Sequence, residues 1–201
     1  MVSIDASGVS FEGFEITNGS IGISLIALNG SQNEVKRNWV HDTGFGIEVG
    51  PISNETHHVV KRNHIYNNEF GISVASNKNT IRRNRVRRNG RFGIVIGSSS
   101  NDNTLINNRA NGNHGIGFLI AGSRNRFVNN KSNKNGASGF HTQEGHDNEL
   151  TGSVANNNNQ FGFIDATVGI GTQKTANFYT NNSCENNAGG SYPSGLCAPQ
   201  P

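Results

Sequence analysis

A four-residue phrase returns seven times along the chain. It reads Gly-Ile-Ser-Leu at Gly22, Gly-Ile-Glu-Val at Gly46, Gly-Ile-Ser-Val at Gly71 and Gly-Ile-Val-Ile at Gly93. Gly-Phe-Leu-Ile follows at Gly117, Gly-Phe-His-Thr at Gly139 and Gly-Phe-Ile-Asp at Gly162. Successive glycines stand 24, 25, 22, 24, 22 and 23 residues apart. A period in the low twenties marks a solenoid, in which each repeat buries its apolar face only against its neighbours. The repeat is unbroken from about Val2 to Asn187, so residues 1–187 read as one elongated unit, with residues 188–201 a Gly/Pro-rich tail.

Composition agrees once the period is known. Hydrophobic residues make up only 32%, too few for a broad globular core but enough for a thin cylinder. The 26 glycines and 33 asparagines would argue for disorder if they were aperiodic, and they are not.

One coil shows the design. Between Asn79 and Gly97, Ile81 opens a short strand that Asn84 breaks, Val86 opens a second that Asn89 breaks, and Phe92-Gly-Ile-Val-Ile makes a third. Apolar residues alternate at period 2 and β-branched residues dominate, which excludes helices. No two-residue Asn-Gly connections of the hairpin kind join equal strands. Repeated down the chain, first strands supply Val35, Val60, Ile81 and Leu105 to the interior, and second strands supply Val40, Ile65 and Val86. Third strands supply Ile23, Ile47, Ile72, Ile94 and Phe118, together with a preceding column of Ile21, Phe45, Phe70, Phe92, Ile116, Ser138 and Phe161. Two corner columns, Asn38-Asn63-Asn84-Asn108-Asn130 and Asn68-Asn89-Asn113-Asn135-Asn158, are expected to take the left-handed turn and to hydrogen-bond up the stack.

From Val9-Ser-Phe-Glu-Gly-Phe-Glu-Ile-Thr-Asn-Gly to the last Asn-rich coil, the chain resembles the right-handed parallel β-helix repeat proteins. These include the pectate-lyase-like and NosD-like families, often grouped as carbohydrate-binding and sugar-hydrolysis repeats. The resemblance implies an all-β, single-stranded right-handed solenoid of seven to eight coils of 22–25 residues. It implies cleavage, epimerisation or binding of polysaccharides as the range of activities, and calcium as the only cofactor. NosD-like copper chemistry lacks ligands here, since Met1 is the only methionine.

Chemistry on such a scaffold belongs to outward columns. In the resembling enzymes substrate lies along the third sheet, where this chain places Ser24, Glu48, Ser73, Val95, Leu119, His141 and Ile164. That column has no cluster of carboxylates for calcium. Its apolar members Val95, Leu119 and Ile164 form a strip suited to self-association. His141, with Glu144 on the following turn, is a second catalytic candidate, set against ordinary loop chemistry.

Positive charge is stacked elsewhere. Lys36, Arg37, Lys61, Arg62, Arg82 and Arg83 flank the first corner, with Trp39 beside them as a flat platform for a sugar ring. Arg85 and Arg87 continue onto the second strand with His41, His64 and Tyr66, and Arg88, Arg91, Arg109 and Lys131 extend the patch. Arginine pairs bidentately with carboxylates, sulfates and phosphates, so the ladder suits an anionic, uronate-type polysaccharide. Lyase or epimerase chemistry beside a uronate needs a cation, a base and an acid, and His41, His64, Tyr66, Arg85 and Arg87 supply those types. The two readings that follow are a non-catalytic binding or structural module and a lyase- or C5-epimerase-like enzyme. Exposed aromatics interleaved for base stacking are scarce, which argues against nucleic acid.

The net charge of +3 and a pI near 9.1 fit an anionic partner without specifying one. No apolar run reaches the ~18–20 residues that span a bilayer. Val2-Ser-Ile-Asp already reads as a strand and not as a signal peptide, so the sequence is expected to be a piece of a longer precursor that has a signal peptide, a capping helix or a catalytic neighbour upstream, and an extracellular or periplasmic address is expected. Cys184 and Cys197 lie in the tail; as a local disulfide they would contribute about 3 kcal/mol and imply an oxidising compartment, the alternative being two free thiols. Five glycosylation sequons, at Asn18, Asn29, Asn54, Asn130 and Asn181, are what so Asn-rich a chain produces by composition.

Overall fold

The computed structural model describes residues 1–26, 31–50 and 55–198. The sequons at Asn29 and Asn54 lie outside the described residues. Every strand pairing within them is parallel, and the chain winds as a β-solenoid. First strands, beginning with Ser10–Glu12, Glu34–Lys36, Val59–Lys61 and Thr80–Arg82 and ending with Phe178–Thr180, stack in chain order into an eight-stranded sheet. Second and third strands are continuous in Glu15–Leu25 and Trp39–Val49 and separate afterwards, as in His64–Tyr66 and Phe70–Val74. Helix among the described residues is limited to one 3-10 turn, Thr172–Lys174, and no helix is long and apolar enough to cross a membrane.

The interior is the expected set of columns. Val35, Val60, Ile81, Leu105, Val40, Ile65 and Val86 are fully buried, and Phe118, Phe140 and Phe163 stack face to face at 4.6 and 4.7 Å. One column differs. Ile21, Phe45, Phe70, Phe92, Ile116 and Phe161 are only half-buried, with Ser138 alone buried. The second inward column of the third strand is instead Leu25, Val49, Val74, Ile96 and Ile120. The glycine of the repeated phrase explains the difference. A Cβ on Gly71 would lie 2.3 Å from both the Gly93 carbonyl oxygen and Val86 Cγ1, so the glycine itself occupies the inward slot. The preceding aromatic is turned toward the surface, where Phe45 stacks on Phe70 at 4.7 Å.

The corners hold a second surprise. The asparagines are buried and do pair up the stack: Asn84 Nδ2 donates to Asn108 Oδ1 at 3.0 Å and to the Val60 carbonyl at 2.9 Å. The left-handed residue, however, is the one before each asparagine. Arg37, Arg62, Arg83, Asn107 and Asn129 have φ between 54° and 57°. The amide must point inward to reach the next rung, so its neighbour takes the turn and projects its side chain outward. A third ladder, Asn33, His58, Asn79, Asn103, Asn125, Asn148 and Asn177, closes the remaining corner.

The last coil is locked by its own chemistry. Cys184 and Cys197 form a disulfide, Leu196 is buried, and Ser191–Tyr192 adds a strand beside Phe163–Ile164. Asp165 fills an inward slot held by Leu25, Val49, Val74, Ile96 and Ile120 in earlier coils and by Thr142 in the one before it. It accepts hydrogen bonds from Thr167 N and Oγ1, Asn177 Nδ2 and the Tyr179 hydroxyl, which satisfies the buried carboxylate.

Candidate functional site

Second strands present two outward columns. In the first, Trp39 pairs in register with His64, His64 with Arg85, and Arg85 with Arg109, which is bridged to Lys131. In the second, His41 pairs with Tyr66, Tyr66 with Arg87, and Arg87 with Asn111. The period of 2 along each strand puts both columns on one face, with Val40, Ile65 and Val86 between them pointing into the core.

The side chains contact one another along the stack. His41 lies flat on Tyr66 at 4.7 Å, and the Arg87 guanidinium sits over the same ring at 5.6 Å. Trp39, 46% exposed, leans on His64 at 5.6 Å. A cleft of about 330 Å³ opens between His64, Arg85, Arg87, Arg109 and Asn111. It shares Arg85 and Arg109 with a depression of about 320 Å³ at the Arg83 corner, and His64 with one of about 200 Å³ between Arg37, Trp39 and Arg62.

The two histidines are driven in opposite directions. His41 Nδ1 meets Asp42 Oδ2 at 2.6 Å and its Nε2 meets Glu15 Oε1 at 3.0 Å, so the hydrogen bond to Asp42, then that to Glu15, raises its pKa. Burial, then the charges of Arg85 and Arg87, lowers that of His64. At neutral pH the face therefore holds a histidine biased toward its cation beside one biased toward the neutral base.

The basic residues predicted on the first strands behave differently. Lys36 is bonded to Glu12 and Glu34, Lys61 to Glu34, and Arg37 to Glu12. Hydrogen bonds from Lys36 and Lys61 hold the Glu34 carboxyl below its usual range. The expected single patch is thus divided: Lys36, Arg37 and Lys61 are neutralised by Glu12 and Glu34, whereas Arg82 on the next first strand and the arginines at and beyond the Asn63-Asn84 corner are open. Arg62, Arg82, Arg83, Arg85, Arg87, Arg88 and Arg109 have no carboxylate partner among the described residues, whereas Arg91, Arg124 and Arg126 each have one. The acids that decide this, Glu12, Glu34 and Glu15, were legible one coil upstream of Lys36, Arg37, Lys61 and His41, with Glu34 also on the same strand as Lys36.

The second candidate is not assembled. His141 stands half-buried on the third sheet, its pKa lowered by burial. Glu144 is exposed, and no hydrogen bond or ion pair joins it to His141 among the described residues. His146 pairs instead with Asp147 at 2.7 Å. The column runs in unbroken register, with Val95 beside Leu119, Leu119 beside His141, His141 beside Ile164, and Ile164 beside Tyr192, so His141 interrupts its apolar members. Among the described residues no group of three or more His, Cys, Asp or Glu side chains is placed to hold a metal ion.

Comparison with known proteins places this scaffold. The family model described as "Right handed beta helix region" matches residues 51–183, and the chain belongs to that family. No curated protein matches the sequence significantly. Among solved structures, pectate lyase Pel9A is similar with a TM-score of 0.64 at 17% identity, over 85% of this chain and 54% of that one. The Azotobacter vinelandii mannuronan C-5 epimerase AlgE6 A-module gives 0.63 at 15% identity, over 92% and 61%. The enzymatically active domain of Bacteriophage CBA120 tailspike protein 2 gives 0.58 at 11% identity, over 94% and 36%. The chain thus spans about half the length of Pel9A, and at these identities the likeness is one of fold.

Proposed function

We propose that this protein engages an anionic, uronate-type polysaccharide outside the cell through its second-strand face, as a binding or structural module. One observation carries the reading: adjacent coils stack arginines that no carboxylate neutralises, beside an exposed tryptophan. Unpaired guanidinium groups on a rigid sheet cost little to organise around a bound carboxylate, because the scaffold has already fixed their spacing. The similar structures include proteins named for pectate and mannuronan, and the disulfide fits an oxidising compartment.

The test is retention on immobilised polygalacturonate or alginate at low salt. Retention should fall with added salt, and the double variant Arg85→Ala/Arg109→Ala should elute at least tenfold weaker. Duplex DNA should compete poorly, since the second strands present Trp39 and Tyr66 but no run of interleaved aromatic rings among the described residues. Elution of parent and variant together in the void volume would remove the anionic-polymer reading.

A second reading has its own support in the opposed histidines. Groups whose environments push their pKa values apart are the raw material of acid–base pairs. Arg85 would neutralise a uronate carboxylate, and neutral His64 would take the proton from the carbon beside it. The electron pair then forms a double bond to the next carbon as that carbon's bond to the glycosidic oxygen breaks, and the departing oxygen takes a proton from His41 or Tyr66; delivery of a proton to the opposite face of the first carbon, with the glycosidic bond intact, is epimerisation. Elimination creates an unsaturated uronate absorbing in the ultraviolet. Activity lost in His64→Ala with retention preserved would establish catalysis. The Val95-Leu119-Ile164-Tyr192 column supports self-association as a separate property, read out by light scattering of the parent against Leu119→Asp.

A further inference from the structure

The open basic face has ends, and its ends define a length. Its central lane runs Trp39, His64, Arg85, Arg109, Lys131, one residue per coil in continuous register. Before Trp39 the same lane holds Glu15, a carboxylate that would repel an anion. After Lys131 it holds Val154, which carries no charge. Neighbouring strands lie ~4.8 Å apart, close to the length that one pyranose adds to a 1,4-linked chain, so the lane offers one side chain per sugar: Trp39 as a platform, His64 as a hydrogen-bonding partner, and Arg85, Arg109 and Lys131 as cations. The depressions at Arg62 and Trp39, at Arg83 and at Arg87 adjoin the lane on its two sides and share its residues, giving it the form of a groove along the solenoid axis from Trp39 to Arg109, with exposed Lys131 one rung beyond its last depression.

Resting on the polyanion reading above, we infer that this groove takes a stretch of about five uronate units lying along the solenoid axis. Trp39 meets the ring at one end, and Lys131 meets the last carboxylate at the other. A ligand lying across the coils would meet only one strand's outward residues, for example Arg85 and Arg87, and would gain nothing from the register of Arg85, Arg109 and Lys131.

The experiment is calorimetric titration of the whole chain with oligogalacturonates of two to eight units at low salt. Affinity should rise roughly three- to tenfold per added unit up to five and change by less than about twofold beyond it. Lys131→Ala, a change at an exposed side chain, should bring the plateau forward to four units. Binding with the same affinity at every length overturns the inference and leaves the polyanion reading standing. So does an affinity that climbs steadily through eight units, or a plateau that Lys131→Ala leaves in place. Failure of every length to bind overturns both.

Discussion

His58 stands in a ladder otherwise made of asparagine, and its imidazole shows what the other rungs do. An asparagine rung offers one acceptor and two donors, so each satisfies the rung above and a carbonyl below, as Asn79 and Asn103 do. His58 Nδ1 accepts from the Asn33 backbone N–H at 3.2 Å, which leaves the proton on Nε2, and that buried nitrogen has no partner among the described residues. Burial, then the nearby His57, lowers the His58 pKa to about 4. The unfolded chain, at the ordinary 6.5, binds the proton first. Stability from this residue is therefore full above pH 6.5, falls as pH drops toward 4, and falls no further below it. His41, with its raised pKa, contributes with the opposite sign, so the useful readout is a difference. His58→Asn should restore the rung and make the thermal midpoint less sensitive to acid between pH 7 and 4.5 than in the parent; parallel losses in both proteins would reject the assignment. Nothing in the sequence set this ladder apart, because the residue at its second visible rung is not asparagine and its corner is where coil lengths vary.

Within a coil, the repeated glycine decides which face each neighbour takes. Sequence periodicity exposed the strands and most of the core, since columns such as Val35-Val60-Ile81 recur at fixed offsets whatever the local geometry. It misplaced the column before the glycine because simple alternation carried through Gly71 puts Phe70 and Ile72 on the same side. In the structure the backbone presses against Val86 and the next coil, and no Cβ fits. Gly71→Ala should therefore destabilise by about 1–3 kcal/mol, as overpacking does. Gly90→Ala is the control: its added methyl would come no nearer than 3.8 Å to anything, so its effect should stay within about 0.5 kcal/mol in the same urea melts. Similar midpoints for the two variants would show that the phrase is not packed as described. The basic face was legible to a similar depth. Its cations were visible as outward positions, but which of them were spent on Glu12 and Glu34 depended on register between coils, at offsets such as the 27 residues from Glu34 to Lys61.

Across the molecule, each coil touches mainly the coil before and the coil after, so stability is local and the ends decide where opening begins. At the C-terminal end, the disulfide of Cys184 with Cys197, the buried Leu196 and the Ser191–Tyr192 strand all hold one coil. The Asp165 network lies one coil inward and joins Thr167, Asn177 and Tyr179. The proposed binding face lies several coils away, between Trp39 and Lys131. Removing the disulfide with the double variant Cys184→Ala/Cys197→Ala frees a loop of 13 residues, a loss of about 3 kcal/mol in the chain-entropy model. In a globular domain that loss would be shared by every residue. In a one-dimensional stack it should appear as faster amide exchange in Phe163–Asp165, Phe178–Thr180 and Ser183–Glu185, with His64–Tyr66 and Arg85–Arg87 unchanged. Oligouronate affinity should be unchanged as well. If exchange quickens equally from end to end, the coils are cooperative over the whole length, and a defect at the cap would reach the arginine face after all.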